Sequence, residues 1–165
     1  MARDIFLKIT GINGESQDAI HRDAIEVIRW GWSIFQQASP STRTGGRGRH
    51  VTVRDLTFEH LIDRASPSLM KYAFSGERIE QAVLIVRKAG AEPLEYMRLT
   101  MNDVLITSIS PSGHDGIPGG TRETVSLSFT RVKQEYVVQH PKGGSGGVVS
   151  ASIDLRSFLS PNGFK

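Results

Sequence analysis

Period-two alternation of apolar and polar residues, one punctuated helix, and joints rich in Gly, Pro and Ser make this a mainly β chain. The architecture they predict is a closed or nearly closed antiparallel β-barrel with one short α-helix and extended loops, in a single domain over residues 1–165. At 165 residues, 38% hydrophobic and 22% charged, such a chain buries roughly 70% of its unfolded surface. It has no cysteine, so disulfides, thiolate metal sites and thiol nucleophiles are excluded.

In chain order, Ile5, Leu7 and Ile9 share one face of a strand from Asp4 to Ile9, with Phe6 on the other, and Gly11 and Gly14 close it. Ile25 to Gln36 reads as one strand whose core face holds Ile28, Trp30, Trp32 and Ile34. Val51 and Val53 alternate before the phase shifts to Leu56 and Phe58, which reads as a β-bulge near Arg54-Asp55. Ser66 is the expected helix N-cap, with Pro67 at the first helical position, an apolar stripe of Leu69, Met70, Ala73 and Phe74, and Gly76 as the stop. Ile79–Lys88 and Leu94–Ile109 flank a turn at Gly90–Pro93 and form a hairpin, with an irregularity at Asn102-Asp103. Ser110 to Gly120 reads as a loop. Thr124 to Val138 then carries Val125, Leu127 and Phe129 on one face and, after a slip near Arg131, Val132, Tyr136 and Val138. Gly143-Gly144-Ser145-Gly146-Gly147 reads as a flexible linker before a last strand in which Val149, Ala151, Ile153 and Leu155 alternate. Seven or eight strands result.

Chemistry is sparse. The five histidines, His21, His50, His60, His114 and His140, have no spacing that puts two imidazoles on one metal, so neither metal nor cofactor is expected. Ser112, His114 and Asp115 are the residue types of a catalytic triad, but crowded into one Gly-rich loop they lack a scaffold. The Gly143–Gly147 run lacks the Lys-Ser/Thr ending of a phosphate loop. Carboxylate pairs such as Glu92/Glu95 or Asp103/Asp115 read as solvated charge.

The net charge of +3 equals the contribution of Arg43, Arg47 and Arg49 alone, in an acid-free segment from Ser39 to His50. Without interleaved aromatics, a recognition helix or a known RNA-binding motif, that segment reads as a solvated or interface loop rather than a nucleic-acid site. The alternative is a β-barrel module that uses it to bind an acidic ligand, nucleic acid or glycan. No apolar run approaches a membrane span, and the N-terminus enters a strand without a signal-peptide pattern, so a soluble protein is expected. Two strands are apolar on both faces, Phe6 opposite Ile5/Leu7 and Val83/Ile85 opposite Leu84/Val86. Either a second subunit or the chain's own helix and loops cover the outer face.

Taken end to end, the chain resembles the Hcp family, the haemolysin-coregulated proteins of the type VI secretion system inner tube. The resemblance rests on Asp4–Ile9 with Gly11 and Gly14-Glu15-Ser16, Ile25–Trp32, Val53–Phe58, Ile62–Met70, Ala82–Gly90 and Glu123–Phe129, in this order and spacing. It implies a barrel with a flanking helix, a homohexameric ring, and stacked rings forming a hollow tube with effector proteins in its lumen. It further implies a non-enzymatic protein that works with sheath, spike and baseplate proteins, assembles in the cytoplasm, and is then secreted without a signal peptide. Nucleic acid and membrane insertion have no part in it. Ser39 to His50 matches the family's extended loop, which makes Arg43, Arg47, Arg49 and His50 the candidate ring-stacking residues.

Overall fold

The computed structural model describes residues 4–37, 50–88, 90, 93–116 and 118–159. In chain order the elements are β1 (Ile5–Ile9), β2 (Ile25–Gly31), β3 (Ile34–Gln37), β4 (His50–Val53), β5 (Leu56–Leu61), α1 (Ser66–Ser75), β6 (Ile79–Lys88) and β7 (Leu94–Ser112). They continue with β8 (Arg122–Ser128), β9 (Arg131–Gln139), β10 (Ser145–Asp154) and a single helical turn, α2 (Arg156–Leu159).

Six strands close a barrel. β1 pairs with β2 and β6, β2 continues to β5, β5 to β8, and β8 to the second half of β7, whose first half returns to β6. Closure removes free edges within the ring of strands. Inward-facing Leu7, Ile25, Leu56, Phe58, Leu99 and Leu127 are buried completely or nearly so, each stabilising the fold by roughly 1.5–3 kcal/mol.

The 19-residue β7 changes partner along one edge: Met97–Asn102 faces β9, whereas Leu105–Ser112 faces β8. The change falls at Asp103, a non-glycine residue with φ of 55°, where irregularity is expected from the sequence. Opposite it, Thr130 N–H donates to the Asn102 carbonyl at 3.2 Å, so the slip near Arg131 is a break between two strands. β9 and β10 form a hairpin that runs beyond the barrel as an extension of the β6–β7 sheet.

Other expectations need correction. Ile25 to Gln36 is two strands. A register shift between Val27 and Arg29 inserts a residue into the alternation, so Ile25, Val27, Trp30 and Trp32 pack on the core while Ile28 is half-buried. Ile34 is 57% exposed on β3. The shift near Arg54-Asp55 is a change of partner, β4 pairing with β3 and β5 with β2. Splitting these runs yields ten strands among the described residues.

α1 has Ala65, not Ser66, at its N-cap. Ser66 Oγ instead accepts the Asp63 N–H, and Asp63 Oδ1 accepts the Ala65 N–H. Gly76 ends the helix at φ 65° and donates to the Tyr72 carbonyl. Its inward stripe is Leu69, Tyr72 and Ala73, whereas Met70 and Phe74 face solvent. β7 continues to Ser112 through the expected loop, and β10 starts at Ser145 within the expected linker, leaving Gly143 and Gly144 to make the turn at positive φ.

The second apolar face of β1 and β6 is covered from within the chain. The stretch from Asp18 to His21 covers it: the His21 ring stacks on Phe6 at 4.7 Å, and the Arg87 guanidinium sits 5.0 Å from that ring. Arg87 also bonds Asp4 Oδ1 at 3.1 Å and Asp18 Oδ2 at 2.7 Å. Gly14 lets the segment from Ile12 to Ala24 close, since a Cβ there would stand 2.4 Å from the Ala24 carbonyl oxygen. Phe6 and Ile85 therefore require no second subunit.

Candidate assembly surfaces

The side chains picked out for chemistry do not converge. Ser112, His114 and Asp115 are all exposed and, among the described residues, share no hydrogen bond. Glu92 lies outside the described residues, while Glu95 pairs with His21 Nε2 at 2.5 Å and Arg98 at 3.2 Å. Asp103 pairs with Arg78.

Long-range polar pairs, which no local spacing announces, tie strands together. Buried His60 on β5 meets Glu123 on β8 at 2.9 Å, with Asp63 Oδ1 at 3.8 Å from its other ring nitrogen. Burial pushes the Asp63 carboxyl upward from its ordinary pKa. Glu59 joins Arg29 and Arg122 across the same seam. These contacts hold β5 against its neighbours.

Two strand surfaces among the described residues expose apolar side chains. The first is the β3–β4 ladder, held by pairs from Ile34↔Val53 to Gln37↔His50. Arg54 lies 5.2 Å from the exposed Phe35 ring. Arg43, Arg47 and Arg49 lie outside the described residues, as does the His50 side chain; the His50 backbone pairs with Gln37.

The second is the β9–β10 hairpin. Cross-strand pairs share a face, so the barrel's interior face can be followed outward in three rows. One runs Ile9, Ala82, Met101, Val132, Ile153; the next Leu7, Leu84, Leu99, Gln134, Ala151; the third Ile5, Val86, Met97, Tyr136, Val149. Their first members are core, but the rows end exposed, with Ile153 at 40%, Tyr136 at 45% and Val149 at 64%. The opposite face carries Lys133, Glu135, Arg98, Ser150 and Ser152, with a Lys133–Glu135 ion pair at 3.3 Å, and Val137 paired with Val148, which is 59% exposed.

The family profile described as "Type VI secretion system effector, Hcp" matches residues 6–136, a span holding most of β9 and all of the barrel except Ile5. The chain belongs to the Hcp family. Protein hcp1 of Pseudomonas aeruginosa is 39% identical over 158 residues, covering 94% of this chain and 97% of that protein. The crystal structure of Hcp1 from Salmonella typhimurium is 45% identical, with a TM-score of 0.76 over 95% of this chain and 97% of its own. A type VI secretion system effector from Yersinia pestis is 38% identical, with a TM-score of 0.75 over 92% and 99%. The chain is a subunit of the type VI secretion tube, a structural protein of that system. The acidic-ligand alternative finds no support in these relatives. No helix among the described residues is long and apolar enough to cross a membrane.

Proposed function

We propose that six copies of this chain close into a ring, that rings stack into a hollow tube, and that the tube is built in the cytoplasm and exported without a signal peptide. Effector proteins occupy its lumen, and sheath, spike and baseplate proteins are its partners. No catalytic step is assigned to it. The observation that carries this reading is the likeness to Hcp1 of Salmonella typhimurium along nearly the full length of both chains. Ring closure is a heterologous contact repeated by rotation. In sedimentation at micromolar concentration the protein is expected at six times 18.1 kDa; monomer alone at that concentration refutes the ring.

Stacking is assigned to Arg43, Arg47, Arg49 and His50. Exposed charge pairs contribute only about 0–1 kcal/mol each, but six copies act together at a junction between rings and remain open to screening by salt. Replacing the three arginines with serine should leave hexamers intact while weakening ring-on-ring association, measured by light scattering across a salt series. Collapse of the variant to monomers would move the loop to the ring-closing interface. The double variant His114→Ala/Asp115→Ala should secrete and assemble normally, as followed by export and sedimentation.

A further inference from the structure

We infer that Asn13-Gly14 is a self-modification site: when the segment from Ile12 to Ala24 opens, Asn13 cyclises onto the Gly14 nitrogen and leaves an isoaspartate that the fold cannot take back. In the folded chain the reaction is held off, and Arg64 is the residue that holds it. The chemistry is that of an exposed Asn followed by Gly, where no side chain shields the attacking nitrogen. The Gly14 nitrogen bonds to Asn13 Cγ, the Cγ–Nδ2 bond breaks, and ammonia departs with the proton that the nitrogen gave up. Water then opens the resulting succinimide at one of its two carbonyls. Attack at Cγ gives aspartate, whereas attack at the backbone carbonyl gives isoaspartate, whose main chain runs through Cγ.

Three observations carry it. The first is that Asn13 is exposed in an irregular stretch, whereas Gly14 beside it is buried. The second is that the attacking nitrogen is engaged. The Gly14 N–H donates to the Asp23 carbonyl at 2.8 Å, and the Ser16 N–H to Ala24 and the Asp23 N–H to Ser16 extend the same short ladder. Turning the Gly14 nitrogen toward Cγ breaks its first rung. Asp23 closes the ladder at φ 62° although it is not a glycine, so this pairing opens more readily than the barrel wall. Arg64 fastens it from outside: its Nε donates to the Gly14 carbonyl and its Nη2 to Asp23 Oδ1 at 2.7 Å. The third observation is the space at Gly14. A Cβ there would stand 2.4 Å from the Ala24 carbonyl oxygen and 2.7 Å from Ile25 Cα. A backbone lengthened by one atom just before Gly14 therefore has nowhere to go, and the ladder stays open. The stretch from Asp18 to His21 that covers Phe6 is then left without its anchor.

The test follows Asn13 by peptide mapping and mass spectrometry during incubation in mildly alkaline buffer, with Asn162-Gly163, which repeats the dipeptide, read on its own peptide. Chain denatured in guanidinium should convert Asn13 at least roughly tenfold faster than native protein, because only the opened segment reacts. Arg64→Met should raise the native rate roughly tenfold, the population effect of losing one charge-assisted hydrogen bond. Val125→Ala, a deletion in the buried core of β8, should leave that rate near the parent's. The isolated isoaspartate form should exchange its Ser16 and Asp23 amide hydrogens rapidly, whereas Asn13→Asp, with the same charge on an ordinary backbone, should protect them as the parent does. Native conversion as fast as in guanidinium overturns the protection, and an Arg64→Met rate equal to the parent's overturns the role of Arg64. Equal acceleration by Val125→Ala overturns the local opening and moves the reaction to globally unfolded chains. Amide protection retained in the isoaspartate form refutes the claim that the ladder cannot close again. Failure of the ring reading leaves these outcomes unchanged, since each is read on a single chain.

Discussion

Phe58→Ala is expected to lower the free energy of unfolding by about 3–5 kcal/mol, from the lost transfer energy of the ring and the cavity left behind. Phe58 is 1% exposed on β5, paired with Trp30 of β2 on one side and Val125 of β8 on the other. It thus fills the barrel where three strands of its wall meet, and a cavity there cannot collapse without moving paired backbone. Set against a typical total of about 5–15 kcal/mol, this is a large share. Urea unfolding at one fixed protein concentration measures it, since assembly adds to apparent stability by mass action. Phe74→Ala is the control: at 88% exposure its effect should stay within about 0.5 kcal/mol, and equal effects at the two positions would refute the account of the core.

Arg87→Met should cost about 3 kcal/mol near neutral pH, the low end for breaking a buried ion pair, and should change how stability depends on acid. The Arg87 guanidinium, 8% exposed, bridges Asp4 and Asp18. Its hydrogen bond, helped by the Ile20 and His21 backbone N–H groups, holds the Asp18 carboxyl well below the usual carboxylate range. The folded state therefore binds that proton more weakly than the unfolded chain does. The resulting stability is complete above the ordinary carboxylate pKa of about 3.9 and drains away as pH falls below it. Arg87 itself is pushed further upward from an already high value and adds no slope at working pH. Asp63 is shifted the opposite way by its burial, but it is common to parent and variant and cancels in their difference. Unfolding followed from pH 6 downward should show the parent losing its advantage over Arg87→Met at acid pH. A gap that stays constant would mean that the guanidinium stabilises by packing on Phe6 alone.

What the sequence disclosed follows from what periodicity measures. Leu56 and Phe58, or Val125 and Leu127, alternate in single strands with one packed face, and both pairs are buried as expected. Alternation does not reveal partners. Trp30 and Ile34 keep the phase of one strand, yet the strand ends between them, because β2 continues the barrel wall while β3 turns to β4. The clamp of His21, Asp18 and Arg87 over Phe6 is built by a segment without regular spacing, and His60 and Glu123 are 63 residues apart; neither leaves a local signal. Val149 and Ile153 were legible as an apolar face, but a pattern of two says nothing about whether the same chain supplies the cover. The basic segment was the clearest feature of the sequence, and Arg43, Arg47 and Arg49 lie outside the described residues.

The order in which the barrel's strands become available sets how the chain can fold. Leu7 faces Leu84, and Leu56 faces Leu127, so the wall is stitched by pairings distant in sequence. Such topologies fold in milliseconds to seconds, because loop-closure entropy is lost before the contacts that repay it form. The last wall strand is β8, which must meet both β5 and β7. A ribosome adding about 5–20 residues per second takes roughly 6–24 s to traverse the 120 residues from Leu7 to Leu127. For the 71 residues from Leu56 to Leu127, roughly 3.5–14 s of that interval, Leu56 and then Phe58 stand on an open edge of the growing sheet. The hazard for this subunit is therefore concentrated in its nascent state, when crowded synthesis of many identical chains places unclosed walls beside one another before any has a β8 to shut it.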